Sequence, residues 1–255
     1  MKTRFFIHRS LRIVCLLAVV CSLSACVYWM RAYQVYLQMS EFDRYFDVAV
    51  SDEFSLNFKE PIMLSEDFVA LSKLRASEET VIADGKKWRY WFRKVNGYRK
   101  VITPEVKFYS ELGFNKENKL TRWAFSSLFL QIAPPKFLEA SLRSLGGADI
   151  NKAEMQLQGN TAAVEKIAAD LPKRDAVVAQ LGKPFQVIPD KGQEIYVYLF
   201  LLDSPHIEKG YEERALSEVK LSFDKKTQEL VRMAGRFAGL KISINYRKFL
   251  DEPAK

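Results

Sequence analysis

Few side chains in this chain can do covalent chemistry. Two of its 255 residues are histidine and three are cysteine. His8 sits in a basic leader, which leaves His206, in Ser204-Pro205-His206, as the one imidazole available to activate a nucleophile. No Gly-x-Ser-x-Gly elbow accompanies it, so His206 reads as a surface loop residue. Neither a dinucleotide fingerprint nor a P-loop occurs; Gly182-Lys183-Pro184 reads as a helix stop and Gly85-Lys86-Lys87 as a turn. Carboxylates alone suffice for glycoside hydrolysis, and Glu105, Glu111, Glu212 and Glu213 lie near expected strand or loop edges. Sequence does not fix the distance between any two of them, chance pairs are expected among 31 acidic residues, and no catalytic or cofactor-binding residue is assigned.

What the chain has in surplus is aromatic and arginine side chains, the types enriched at protein interfaces. In Trp88-Arg89-Tyr90-Trp91-Phe92-Arg93, strand alternation puts Trp88, Tyr90 and Phe92 on one face and Arg89, Trp91 and Arg93 on the other. The first set is expected in the core. Trp91 between two arginines is either a surface aromatic covered by its neighbours or part of a binding face. Arg89, Trp91 and Arg93 are therefore the candidate partner-binding residues. Ile195 to Leu202 is apolar on both faces, which suits a strand covered on both sides.

The first 25 residues hold Lys2, Arg4, Arg9 and Arg12 and no acidic side chain, and an apolar run begins at Ile13. This is the layout of a secretory signal. The run reaches Leu23-Ser24-Ala25-Cys26, which resembles the lipobox of bacterial lipoproteins. The resemblance implies that the signal, 1–25, is removed and that Cys26 is acylated as the new N-terminus. It also implies a periplasmic fold, and Val27 after the cysteine, rather than Asp, favours the outer membrane over an inner-membrane anchor. Apolar character continues through Val27-Tyr28-Trp29-Met30, to about the 18 residues at which a spanning helix becomes possible; an uncleaved anchor is the other reading. With Cys15 and Cys21 in the signal, Cys26 is the one cysteine left, and lipidation would consume its thiol. No disulfide could then form. One histidine and a lipidated cysteine make no zinc site, so no metal ligand is assigned.

The whole chain carries a net charge of +8; the signal takes four of its 39 basic residues and none of its 31 acidic ones, leaving +4. So modest an excess suits an anionic membrane surface and argues against nucleic acid. The length allows one large or two small domains.

Glu111-Leu-Gly-Phe114-Asn-Lys-Glu-Asn-Lys-Leu120-Thr-Arg122-Trp-Ala124 can be laid over Lys220-Leu-Ser-Phe223-Asp-Lys-Lys-Thr-Gln-Glu-Leu230-Val-Arg232-Met-Ala234 with one extra residue in the second turn. Each copy reads as a β-hairpin, preceded by an aromatic strand and, before that, a short helix at 65–74 or 173–181. Phe54–Phe58 and 153–158 alternate like strands, 135–145 reads as a helix, and Asn160 is placed to cap another over 161–170.

Asp175-Ala-Val-Val-Ala-Gln-Leu-Gly182-Lys-Pro184, Tyr196-Val-Tyr198, Val219-Lys-Leu221-Ser-Phe223-Asp224 and Glu229-Leu-Val231 resemble the outer-membrane assembly lipoproteins of the SmpA/OmlA (BamE) type over residues 160–240. That family's helices-then-three-strands fold is what the resemblance implies. The insertion at Asp203–Leu216 and the chain's length depart from it.

The expected fold is α+β: two similar modules, each with helices packed on a small three- to four-stranded antiparallel sheet. The expected division is signal 1–25, lipid anchor and amphipathic segment 26–50, first module 51–133, connecting helix and linker 134–152, and second module 153–248. The expected function is non-enzymatic: an envelope lipoprotein anchored by its lipid in the outer membrane, facing the periplasm, and docking a protein partner. The alternative is a periplasmic binding protein for a hydrophobic or glycan ligand.

Overall fold

The computed structural model describes residues 27–151, 156–237 and 240–251. Cys26 and the signal lie outside these. Residues 27–38 form helix α1. Then come α2 (Phe42–Tyr45), β1 (Phe46–Val50), β2 (Phe54–Phe58), α3 (Ser65–Ser72), β3 (Glu78–Ile82), β4 (Gly85–Lys94), β5 (Lys107–Asn115) and β6 (Leu120–Phe125). Next are α4 (Ser127–Leu130), α5 (Pro135–Arg143), β7 (Asp149–Asn151) and β8 (Gln156–Gln158). The last part holds α6 (Arg174–Leu181), β9 (Gln186–Asp190), β10 (Gln193–Leu202), β11 (Leu216–Asp224), β12 (Leu230–Phe237) and β13 (Leu240–Asn245). No helix among the described residues is long and apolar enough to cross a membrane.

The expected pair of helix-on-sheet modules is overturned. All strands except β7 and β8 join one 11-stranded antiparallel sheet, in the order β1-β2-β6-β5-β4-β10-β11-β12-β13, with β3 beside β4 and β9 beside β10. The physical reason lies in β4 and β10. Strand β3 covers β4 only from Gly85 to Arg89 and β9 covers β10 only from Gln193 to Val197. The far end of each strand would otherwise present open backbone groups. The two ends satisfy one another: Phe92, Arg93 and Lys94 pair with Leu202, Leu201 and Phe200.

Within this sheet the runs β3–β6 and β9–β12 repeat one order of strands. Gly85 and Gln193 open strands of ten residues each. Trp88, Tyr90 and Phe92 fall where Tyr196, Tyr198 and Phe200 fall. Both hairpins slip register just before the phenylalanine, so that Phe114 opposes Leu120 and Phe223 opposes Leu230. The rings are matched too, Trp88 on Phe114 at 4.9 Å and Tyr196 on Phe223 at 5.2 Å. An asparagine or aspartate closes each turn. The Asn115 Oδ1 accepts from the Glu117 and Lys119 amides, and the Asp224 Oδ1 from the Lys226 and Thr227 amides.

Alternation decides which face is buried. Trp88, Tyr90, Phe92, Phe108, Phe114, Phe200, Leu221 and Phe223 lie in the core on the inner face. Helix α4 sets Phe129 over that face, 5.5 Å from Phe108 and 4.9 Å from Phe125. Helix α5 adds Phe137, which meets Tyr246 edge-on at 5.0 Å.

The two halves also brace each other. The Lys94 ammonium, buried on the inner face, donates to the Leu181 and Lys183 carbonyls at the end of α6, 2.6 Å from each, and lies over the Tyr198 ring. A cation suits the negative end of a helix, although burial draws this lysine's pKa below its ordinary value. Conversely, Arg214 donates to the Leu71 and Ser72 carbonyls at the end of α3. The Asp203–Leu216 insertion carries that arginine back across the molecule.

Two smaller expectations also need correction. The helix over 161–170 shrinks to one 3-10 turn, Thr161–Ala163, with the Asn160 side chain accepting from the Ala162 amide. Beyond it Ile167 pairs with Leu250, so the chain runs extended along the C-terminal segment. Strands β3 and β9 were absent from the sequence reading, and α6 is followed by five strands, β9 to β13, rather than three.

Candidate interaction face

The outer face of β2, β4, β5 and β6 is built by the residues that alternate away from the core. Strand β4 contributes Lys87, Arg89, Trp91 and Arg93. Strand β5 contributes Lys107, Tyr109 and Glu111, paired across to Arg93, Trp91 and Arg89. Arg122 stands on β6, and Glu53 just before β2.

Glu111 is the centre. Its side chain is only 5% exposed, yet it is charge-bearing and opposed by three cations. Arg89 reaches it through Nε at 3.0 Å and also through Nη2, Arg122 through Nη1 at 3.2 Å, and the Lys87 ammonium lies 3.6 Å away. A buried carboxylate needs this company, because an unpaired one is costly. Burial works against the charge on Arg89, but the bond it donates to Glu111 and the charges of Glu111, Tyr109 and Glu78 together outweigh it and raise the Arg89 pKa.

Arg122 also donates to Glu53 at 2.7 Å, and the Tyr109 hydroxyl donates to the same carboxylate. Burial opposes ionisation of Glu53, but the bonds from Tyr109 and Arg122 prevail and lower its pKa. Burial, followed by the bond to Glu53, pushes the Tyr109 hydroxyl up to about 12. Tyr109 therefore remains a neutral donor.

Aromatic rings are layered among these charges. The Arg89 guanidinium lies 4.4 Å from the centroid of Tyr109, and Lys107 lies 4.9 Å from that of Trp91. Trp91 meets Tyr109 edge-on at 4.9 Å, and its indole N–H donates to Glu78 at 3.0 Å. Such contacts hold flat side chains in place at the solvent boundary.

The three candidate residues are thus neighbours on one face, in different roles. Arg89 is committed to Glu111. Trp91 is half-buried between Arg89 and Lys107. Arg93 is about a third exposed, 2.8 Å from Asp203 and 3.4 Å from Glu105, with its Nε lacking a hydrogen-bond partner. Sequence reading missed Tyr109, Arg122 and Glu53, and named Glu111 only as one carboxylate among several. The pairing of Arg89 with Glu111 was readable in principle, from laying the hairpin's first strand antiparallel to β4.

The other chemistry-bearing residues are dispersed. His206 is exposed, and its carbonyl accepts from the Ser204 hydroxyl. Glu105 lies between Arg93 and Lys107, Glu213 pairs with Arg99, and Glu212 accepts from the Gly210 amide. Among the described residues no group of three or more His, Cys, Asp or Glu is arranged to hold a metal ion. One open groove of about 750 Å³ is lined mostly by polar side chains, including Lys166, Arg232, Asn245, Arg247, Lys248 and Asp251. No family model, no curated protein and no solved structure matches the chain.

Proposed function

We infer that this protein is a non-enzymatic envelope lipoprotein, tethered through Cys26 in the outer membrane, which docks a protein partner against the outer face of β4, β5 and β6. One observation carries the docking reading. The array around Glu111 is not required to build the sheet, because the matching run forms the same pairing without it. Where β4 and β5 set Arg89 opposite Glu111, β10 and β11 set Val197 opposite Lys220. A fold-neutral array of arginine, tryptophan and tyrosine on an accessible face has the composition of an interface hot spot. A membrane tether would raise the local concentration of a partner in the same membrane, so that even a small contact area could suffice.

The test is capture of crosslinked partners by the tagged full chain. Trp91→Ala combined with Arg93→Ala should abolish capture while leaving far-UV circular dichroism and the urea midpoint unchanged; His206→Ala should leave all three unchanged. Loss of biological function on His206→Ala or a single Glu substitution, with capture and stability intact, would overturn the docking reading in favour of an enzyme. The ligand-binding alternative has weaker support, since the inner face is filled by large buried rings and the groove of about 750 Å³ described above is polar and open.

A further inference from the structure

Helix α1 has two opposed faces. With about 100° of rotation per residue, Arg31, Val35 and Gln38 fall on one side and Trp29, Met30, Tyr33 and Leu37 on the other. The first side is fixed to the body. Arg31 donates through Nε to Asp67 at 2.8 Å, and that carboxylate is fully buried while also accepting from the Leu64 amide at the start of α3. Gln38 donates to the Glu60 carbonyl, and Val35 packs on the core. Tyr36, at the border, donates to the Ala148 carbonyl at 2.8 Å. At the helix end Gly146 comes so close that a side chain there would meet the Met39 carbonyl. The second side meets nothing of the kind: Trp29, Met30, Tyr33 and Leu37 are each 49 to 55% exposed.

Isolated exposed apolar residues need no explanation, but an aligned stripe does. Its position in the chain identifies what covers it. The apolar run from Ile13 leads through Cys26 to the first residue of α1 with no linker between them. Whatever membrane holds Cys26 therefore lies three residues from Trp29, the first of the stripe, and the 12 described residues of α1 extend only about 18 Å. The four side chains are of the kinds that rest at the boundary between headgroups and acyl chains.

We propose that α1 is an interfacial helix. It lies flat on the bilayer with Trp29, Met30, Tyr33 and Leu37 immersed, and, because its opposite side is pinned by Arg31, it fixes the orientation of the sheet to the membrane. This rests on the membrane tether proposed above. The lipid holds the protein at the surface and the stripe determines which way it faces.

Depth-resolved fluorescence quenching tests this. The full chain, purified from membranes, is reconstituted into phosphatidylethanolamine–phosphatidylglycerol vesicles with a quencher placed shallow or deep on the acyl chain. The Trp29 signal is the difference between the wild type and Trp29→Phe. A second reporter, Leu37→Trp in the Trp29→Phe background, reads the other end of the helix. Both should be quenched about twofold or more strongly by the shallow label than by the deep one, matching an apolar face sunk roughly 5–10 Å. Tyr33→Glu with Leu37→Glu should abolish quenching at Trp29 while the protein still floats with the vesicles. Quenching at Trp29 without quenching at Leu37→Trp means an upright helix and overturns the proposal, as does a vesicle-bound protein quenched at neither position. Release of the protein from cell membranes by alkaline carbonate overturns the tether itself, and the proposal with it.

Discussion

The runs β3–β6 and β9–β12 share a skeleton and differ in the side chains of their outer face. On the inner face the match is close: Tyr90 and Tyr198, Phe92 and Phe200, and Phe114 and Phe223 occupy corresponding, buried places. On the outer face the places of Arg89, Trp91 and Arg93 are taken by Val197, Leu199 and Leu201, and Glu111 gives way to Lys220. The packed side leaves little freedom because volume must be filled. The other side is filled differently. It carries an organised ion array around Glu111 in the first run and the buried aliphatic side chains of Val197 and Leu199 in the second, at equal strand order and register. What distinguishes the halves is therefore the chemistry of the outer face, charged and aromatic in one and aliphatic in the other, on a common frame.

Four experiments would break or sharpen this comparison. Phe114→Ala and Phe223→Ala each empty a fully packed site and should cost about 3–5 kcal/mol in urea unfolding. If the sites correspond, the two costs should agree to within about 1 kcal/mol; a negligible cost at either would break the match. The cross-braces come next. Lys94→Met removes a cation from two helix-terminal carbonyls and should cost about 2 kcal/mol, whereas Arg214→Met, on a more open site, should cost about 1 kcal/mol.

Converting one outer face into the other is the sharper test. Lys87→Ile, Arg89→Val and Glu111→Lys together copy the second run onto the first while Arg122 keeps Glu53 as its partner, and stability should change by no more than about 1–2 kcal/mol, because replacing paired charges as a unit is far cheaper than orphaning one member. Partner capture should be lost. A molecule that unfolds would show that the array is structural.

The smallest effect concerns the turns. The Thr227 amide, then the Arg247 guanidinium and the Lys226 amide, hold the Asp224 carboxyl down at about 2. A carboxyl depressed below its unfolded value stabilises above about pH 4 and loses that contribution as pH falls through about 2. The turn at Asp224 should therefore loosen in acid, read as faster amide exchange at Thr227, while the turn at Asn115, which cannot titrate, should not respond. Asp224→Asn should remove the difference.

Alternation and ring content made the core strands legible: β2, β4, β10 and both hairpins stand where their patterns lie. So did the segregation of Arg89, Trp91 and Arg93 from Trp88, Tyr90 and Phe92. The single sheet was not legible, because the β4–β10 junction is three residue pairs between segments more than a hundred positions apart, and nothing local encodes it. Strand β3, Glu-Glu-Thr-Val-Ile, escaped notice because an edge strand exposed along its whole length has no alternation to read. Helix 161–170 was over-read because a good cap at Asn160 does not ensure a helix when Ile167 has a tertiary partner in Leu250. Tyr109, Arg122 and Glu53 were missed at the interaction face because their proximity comes from cross-strand register, which a linear pattern leaves open.

The short β4–β10 junction has a consequence for how the chain is made. A polypeptide emerges N-terminus first, so β4 is complete long before residues 200–202 exist to cover Phe92 to Lys94. Throughout that interval a nascent chain carries an uncapped, aromatic-rich strand edge, which is a template for intermolecular pairing. Contacts so distant in sequence also close slowly. The same three pairs that merge the halves thus make the incomplete chain vulnerable to aggregation and dependent on whatever shields it until its last third arrives.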